Sequence, residues 1–240
     1  GVLIETMRRE GFELAISRPR VLFQDDPVTG KTLEPIEEVV IDVDSDYAGV
    51  VVEKMSQRKA ELLEMKPTAG GKHRLGFLAP SRGLIGYHGE FLTDTRGTGV
   101  MNRVFHSYAP HKGTIDSYRN GVLVSMDDGK SVPFALWNLE ARGTLFIEPG
   151  VDVYRGMIIG EHTRGNDLDV NPLKAKQLTN IRAAGKDEAV RLTAPRRMSL
   201  EEAVAYISDD ELVEVTPKAI RLRKKLREIH ERKKAMREAS

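Results

Sequence analysis

The chain has 240 residues, 40% hydrophobic and 30% charged, with a formal net charge of +1 and no cysteine. That composition is of a folded globular chain rather than a disordered one, and the length suits two domains better than one. The lack of cysteine excludes disulfides and thiolate metal sites and fits a reducing compartment, while no apolar run approaches the roughly 18–20 residues of a spanning helix and no signal-peptide core opens the chain.

The opening "GVLIETMRREGFELAI" predicts a helix with Leu3 and Met7 on one face and Gly11 as its stop, then a strand with Phe12, Leu14 and Ile16 on one side. No N-cap residue precedes the helix, so the chain reads as a piece of a protein that continues toward the N-terminus. "DDPVTGKTLEP", Asp25 to Pro35, is turn-rich and marks a domain boundary. Val39, Ile41 and Val43 then alternate with Val40, Asp42 and Asp44 as a strand with one buried face. Ser45 or Asp46 is placed to cap a helix striped with Val51, Val52 and Met55. A strand near Ala60 to Met65, the turn "KPTAGG" and a return strand lined by Leu75, Phe77 and Ala79 follow. Ser81 can cap a second helix that turns Leu84, Ile85, Phe91 and Leu92 inward, and Met101, Arg103 and Phe105 alternate in a closing strand. This β-α-β-β-α-β order predicts an α+β, ferredoxin-like sandwich over 34–112.

Past "APHKGT" the pattern predicts a β-rich region, 113–240, with turns at Asn120–Gly121 and Asp128–Gly129 and a short helix from Ala135 to Ala141. "GTLFIEPG", "VYRGMIIGE" and "EAVRLTA" read as strands. Ser199 with Glu202 is a capping box that starts a helix, and Thr216–Pro217 is placed to start a last, basic helix over Lys218 to Glu238. Between strands lies "EHTRGNDLDVNPLKAKQLTNIRAAGKDEAV", Glu161 to Val190, a long polar loop. Structureless connections beyond about 12–15 residues are uncommon in compact domains and are usually functional or disordered.

Three glycine patterns invite a nucleotide reading, and each fails. "DDGKS" mimics the end of a phosphate-binding loop, but Val124 stands where the first glycine belongs. "RGTGVMN" has Asn102 at the third glycine position, and Gly83, Gly86 and Gly89 are wrongly spaced. The histidines show no metal-ligand spacing, and no nucleophile elbow is present, so neither a metal nor a catalytic residue is expected. The polar loop is different. Arg164, Lys174, Lys176, Arg182 and Lys186 are phosphate-seeking cations, and Asn166, Asn171, Gln177 and Asn180 can read base edges or 2′-hydroxyls, with His162 at the loop's start. Stacking aromatics are absent from it, which argues against single-strand base stacking as its mode. The bland alternative is a solvated loop. In the basic tail, Arg221, Arg223, Lys224, Lys225 and Arg227 suit phosphates or merely a solvated face. Arg58, Lys59 and Arg82 stand at helix ends in the sandwich, where phosphate contacts are common.

The pieces E-P-I, "DYAGVV", "RKAEL", "LTDTRGTG" and F-x-x-Y stand in an order that resembles domain V of the elongation factor G class of translational GTPases. "SRGLIGY", "NDLDVN", "KQLTNIRAAGKDEAV" and "DDELVEVTPKAIRLRKK" narrow the resemblance to the BipA/TypA family. The resemblance implies that residues 1–30 end domain III, that 34–112 form domain V, and that 113–240 form a family-specific C-terminal domain. It further implies a cytoplasmic, ribosome-binding protein linked to large-subunit assembly, translation, and stress or cold adaptation. Its partners would be large-subunit rRNA, ribosomal proteins and the acceptor end of an A-site tRNA reached by the polar loop, with no membrane. GTP and Mg²⁺ would bind upstream, leaving this chain without cofactor or hydrolytic activity. The reading from another class is a small-molecule-sensing or protein-interaction module with a dimerising C-terminal domain. Salt dependence separates the two, because only phosphate neutralisation makes affinity fall steeply with salt.

Overall fold

The computed structural model describes residues 2–115, 119–175 and 191–238. It is an α+β structure of two compact units, one formed by Pro19–Tyr118 and the other by Gly1–Arg18 together with Arg119–Ser240. The boundary differs from expectation. The N-terminal helix α1 (Val2–Arg9) and strand β1 (Leu14–Ser17) do not stand as a remnant with the following turn; β1 pairs antiparallel with a C-terminal strand, β13 (Glu211–Val215). An isolated strand leaves its N–H and C=O groups unpaired, and β13 supplies the missing partners. Leu14, Ile16 and Ile4 then pack on the C-terminal core, and Arg8 donates to the Thr216 carbonyl at 2.8 Å.

In the Pro19–Tyr118 unit, β2 (Gln24–Asp25) turns into the long β3 (Thr32–Asp44), followed by α2 (Ser45–Gln57), β4 (Glu61–Thr68) and β5 (Lys72–Pro80). A 3₁₀ turn, Ser81–Leu84, leads to α3 (Tyr87–Asp94) and then β6 (Val100–Pro110). The sheet runs β6-β3-β5-β4, antiparallel throughout, which is the ferredoxin-like order expected from the pattern. Val39, Ile41 and Val43, then Leu75, Phe77 and Ala79, point to α2 and α3 as their alternation requires. The second helix is a correction. Gly86, at φ 80°, breaks it from the 3₁₀ turn, so Ser81 is not its cap, Tyr87 joins Phe91 inside, and Leu92 faces out.

The second unit is built on a sheet ordered β1-β13-β14-β11-β7-β12. Its strands are β7 (Val122–Ser125), β11 (Met157–His162), β12 (Leu168–Val170) and β14 (Ile220–Lys224), with β9 (Gly143–Leu145) also paired to β11. A small ladder joins β8 (Gly129–Lys130) to β10 (Asp152–Val153). Helices α4 (Pro133–Glu140) and α5 (Leu200–Tyr206) pack against the sheet, and α6 (Ile229–Glu238) is the last element. Ser199 and Glu202 form the expected reciprocal capping box at α5. The expected strand "EAVRLTA" is not found: residues 191–194 are irregular, and 188–190 lie outside the described residues.

The largest correction concerns the tail. Thr216 does not start a helix; it closes a hairpin, its amide donating to the Ala219 carbonyl at 2.9 Å while its Oγ1 accepts from Ala219 N at 3.0 Å. Ile220, Leu222 and Lys224 alternate with Arg221 and Arg223, a period of two that suits a strand next to β13. The helix is therefore confined to Ile229–Glu238.

Candidate nucleic-acid interface

The first half of the polar stretch is held tightly by the sheet, contrary to the expectation of an open loop from Glu161. His162 N donates to Gly121 O at 2.8 Å, Gly121 N donates to Arg164 O at 2.8 Å, and Val122 N donates to Asp167 Oδ1 at 2.9 Å. Leu168–Val170 then run parallel to β7. Gly121 is required for this approach, since a Cβ there would lie 2.1 Å from Asn166 O. Two side chains expected to read RNA are consumed in this anchoring. His162 is buried, its Nδ1 2.6 Å from Asn166 O. Asn171 donates to Asp127 Oδ2 at 2.7 Å and accepts from Leu173 N at 2.8 Å. Asn166 is exposed, its amide turned to the Asp167 carbonyl at 3.2 Å. Arg164 and Lys174 are exposed and have no side-chain partner among the described residues. Lys176, Gln177, Asn180, Arg182 and Lys186 lie outside the described residues.

The tail cations are turned to partners within the fold. Lys224 is buried, with Nζ 2.5 Å from Asp167 Oδ2, 2.8 Å from Asp210 Oδ2 and 2.9 Å from Glu211 Oε1. The three carboxylates bring ligand atoms within 4.8 Å of one another, a grouping that could hold a metal, but here the lysine ammonium sits among them. Arg119 completes the cage, each of its two terminal nitrogens donating to Glu211 at 2.7 Å, with its guanidinium over the Tyr206 ring. Burial alone would push Glu211 up and Lys224 down. The opposing charges more than offset it, so Glu211 is held below the usual carboxylate range and Lys224 above the usual lysine range. Lys224 is therefore engaged inside the fold, and so is Arg223, whose Nε donates to Glu214 at 2.6 Å. Lys225 is turned to the Asp209 carbonyl, and Arg227 donates to the Arg155 carbonyl at 3.1 Å while lying over the Tyr154 ring. Arg221 sits opposite Glu214 on the neighbouring strand.

In the ferredoxin-like unit, Arg82 is bound to the fully buried Glu34 and to the Gly113 carbonyl, and Arg58 to Glu90 and over the Tyr87 ring. Both are structural rather than free. Lys59, at φ 62° just past α2, is exposed, with no partner for its ammonium among the described residues.

The glycine stretches carry no phosphate cradle. Gly129 and Lys130 form the edge ladder with β10, Lys130 pairs with Asp152 at 3.0 Å, and Ser131 Oγ donates to the Glu148 carbonyl at 2.8 Å. Gly97 is a left-handed helix end, and Gly99 is pinned against Phe91 and Thr95. These residues do not fit a nucleotide.

Residues 31–118, which hold the ferredoxin-like sandwich, match the family described as elongation factor G C-terminus. Residues 120–229 match the TypA/BipA C-terminal domain. Proteins named large ribosomal subunit assembly factor BipA are similar along nearly the whole chain. That of Haemophilus influenzae is 51% identical over 237 residues, 98% of this chain and 38% of the relative. That of Bacillus subtilis is 49% identical over 235 residues, again 98% and 38%, and that of Escherichia coli K12 is 50% identical over 237 residues, 98% and 39%. The chain belongs to the TypA/BipA family, and it spans under two-fifths of the length of these curated relatives.

Proposed function

We propose that this chain is the ribosome-binding C-terminal part of a translational GTPase that acts in assembly of the large ribosomal subunit. The observation that carries the reading is the identity of about half over 98% of the chain to proteins named as large-subunit assembly factors. The geometry supports it through cations left free where others are consumed: Arg164 and Lys174 in the C-terminal unit, and Lys59 in the ferredoxin-like unit. Such groups neutralise phosphates without having to break an internal pair first. In this reading the partners are large-subunit rRNA with its proteins and the acceptor end of an A-site tRNA, in the cytoplasm. Roles in translation and in stress or cold adaptation are what the family resemblance adds to this reading. GTP and Mg²⁺ are handled by a part of the longer protein that this chain does not include, and the chain itself hydrolyses nothing.

Co-sedimentation with purified large subunits at rising salt tests the proposal. The expected result is saturable binding whose log affinity falls linearly with log salt. Binding that ignores salt, or none at all, would overturn it. A labelled GTP analogue should show no tight binding to this chain, and micromolar affinity would contradict that part of the reading.

A further inference from the structure

The only tryptophan of the chain stands on its surface. In α4, Ala135 and Leu136 are buried and Leu139 packs on the core, which leaves Phe134, Trp137 and Asn138 on the outward stripe at i, i+3 and i+4. Trp137 is 51% exposed, and its ring lies 6.4 Å from that of Phe134, tilted by 38°. A side chain of this size normally gives most of its surface to a core. Its indole N–H has no hydrogen-bond partner among the described residues.

The surroundings of the helix say what the ledge faces. At its N-terminal end, Val132 N donates to the Pro172 carbonyl at 3.0 Å, two residues before Lys174. At its C-terminal end, Thr193 N donates to Glu140 Oε1 at 2.5 Å, two residues after Arg191, and Arg142 lies two residues past the helix end. Lys174, Arg142 and Arg191 are all exposed and carry no ion pair among the described residues. The helix's one carboxylate, Glu140, is already turned to the Thr193 amide. An exposed aromatic face with unneutralised cations at both ends is the pattern of a single-stranded nucleic-acid platform, in which bases stack on rings and phosphates meet cations. Among the described residues the ledge has no free acid of its own, and phosphates would supply the anions that its cations lack.

We propose that Trp137, backed by Phe134, stacks on an unpaired RNA base, with Lys174, Arg142 and Arg191 taking the neighbouring phosphates. The proposal rests on the ribosome-binding reading and adds base stacking to it, a mode that the absence of aromatics from the polar loop argues against for the loop alone.

Because the chain has one tryptophan, its emission reports this position alone. Titration of the 240-residue chain with a single-stranded RNA oligonucleotide should quench that emission, and the matching duplex should not. Trp137→Ala should weaken single-strand binding, read by anisotropy of the labelled RNA, by roughly 5- to 150-fold, and Trp137→Phe should recover much of the loss. An unchanged circular dichroism melt would exclude misfolding of the variants. If the wild-type chain binds RNA or large subunits with unchanged emission, and Trp137→Ala binds equally well, the platform is refuted while the ribosomal reading stands. Quenching by RNA-free ribosomal proteins but not by RNA would make the ledge a protein contact and also overturn the proposal. If the wild-type chain binds neither RNA nor large subunits, the ribosomal reading itself fails.

Discussion

The two units solve the burial of charge differently. In the ferredoxin-like unit the elements follow one another in a single run of chain, and the core is almost wholly apolar, from Val39 to Phe91. Arg74 pairs with Asp42 at 2.8 Å on the exposed sheet surface, Lys54 and Arg58 pair with Glu90 between the two helices, half-buried, and Arg82 holds the fully buried Glu34. The C-terminal unit is assembled from distant pieces, with β1 closing one edge and β12 inserted beside β7. Arg119, Asp167, the adjacent Asp210 and Glu211, and Lys224 come from four separate segments and meet in one cage. Long-range apolar contact alone is permissive about register, whereas a buried charge is costly unless every partner is in place. We read the cage as the feature that fixes how these segments join.

The comparison is broken most directly at Lys224. Lys224→Met leaves three carboxylates facing one another without their ammonium, and should destabilise the C-terminal unit by about 3–5 kcal/mol. Arg74→Met in the other unit should leave the melting midpoint unmoved, because that pair is solvent-screened. Differential scanning calorimetry of both variants gives the answer, and equal shifts would remove the contrast.

Glycine substitutions give opposite signs in the two units. Gly121→Ala drives a methyl into the backbone of Asn166 and should cost about 1–3 kcal/mol. Gly49 lies inside α2 with open space around it, so Gly49→Ala should stabilise by roughly 0.5–1 kcal/mol. Urea denaturation reads both, and a stable Gly121→Ala would mean that the polar stretch is not held against β7.

Acid sharpens the contrast further. Glu211 is held below its ordinary value of 4.5, so its contribution is complete above that pH and is lost as pH falls through the depressed folded value. The urea midpoint of the C-terminal unit should therefore hold at neutral pH and drop on acidification below 4.5, with Glu211→Gln showing a lower but flatter profile. A profile in the variant as steep as in the wild type would place the titrating group elsewhere. The smallest effect on stability is expected at the free cations. Arg164→Ala with Lys174→Ala should leave the melt unchanged and reduce the salt slope of large-subunit binding, by about 0.7–0.9 for each phosphate that is no longer neutralised. An unchanged slope would remove both residues from the interface.

The sandwich is legible in the sequence because its signals are local. Val39, Ile41 and Val43, or Leu75, Phe77 and Ala79, alternate whatever the rest of the chain does, and one buried face is enough to set their register. The helix after Ser81 is harder to read, since Gly86 shifts the inward stripe from Leu92 to Tyr87 and helical propensity does not see a left-handed break. In the tail, the helical expectation for Lys218–Glu238 rests on its basic residues and on Pro217 as a first-turn proline. The alternation Ile220, Leu222, Lys224 is the available strand signal, but a lysine at a core position argues against it until its carboxylates are known.

What the sequence by itself determined is the ferredoxin-like order, the capping box at Ser199 and the family resemblance, all of which depend on neighbouring residues or on quoted motifs. What only the tertiary structure decided is which charges are free. Arg58, Arg82 and Lys224 have the same formal charge in the sequence as Lys59, Arg164 and Lys174. The first three meet carboxylates brought from 32, 48 and 13 residues away, and the others meet no carboxylate among the described residues. A charge is spent or available according to what the fold places within a few ångströms of it, and one-dimensional spacing does not carry that distance.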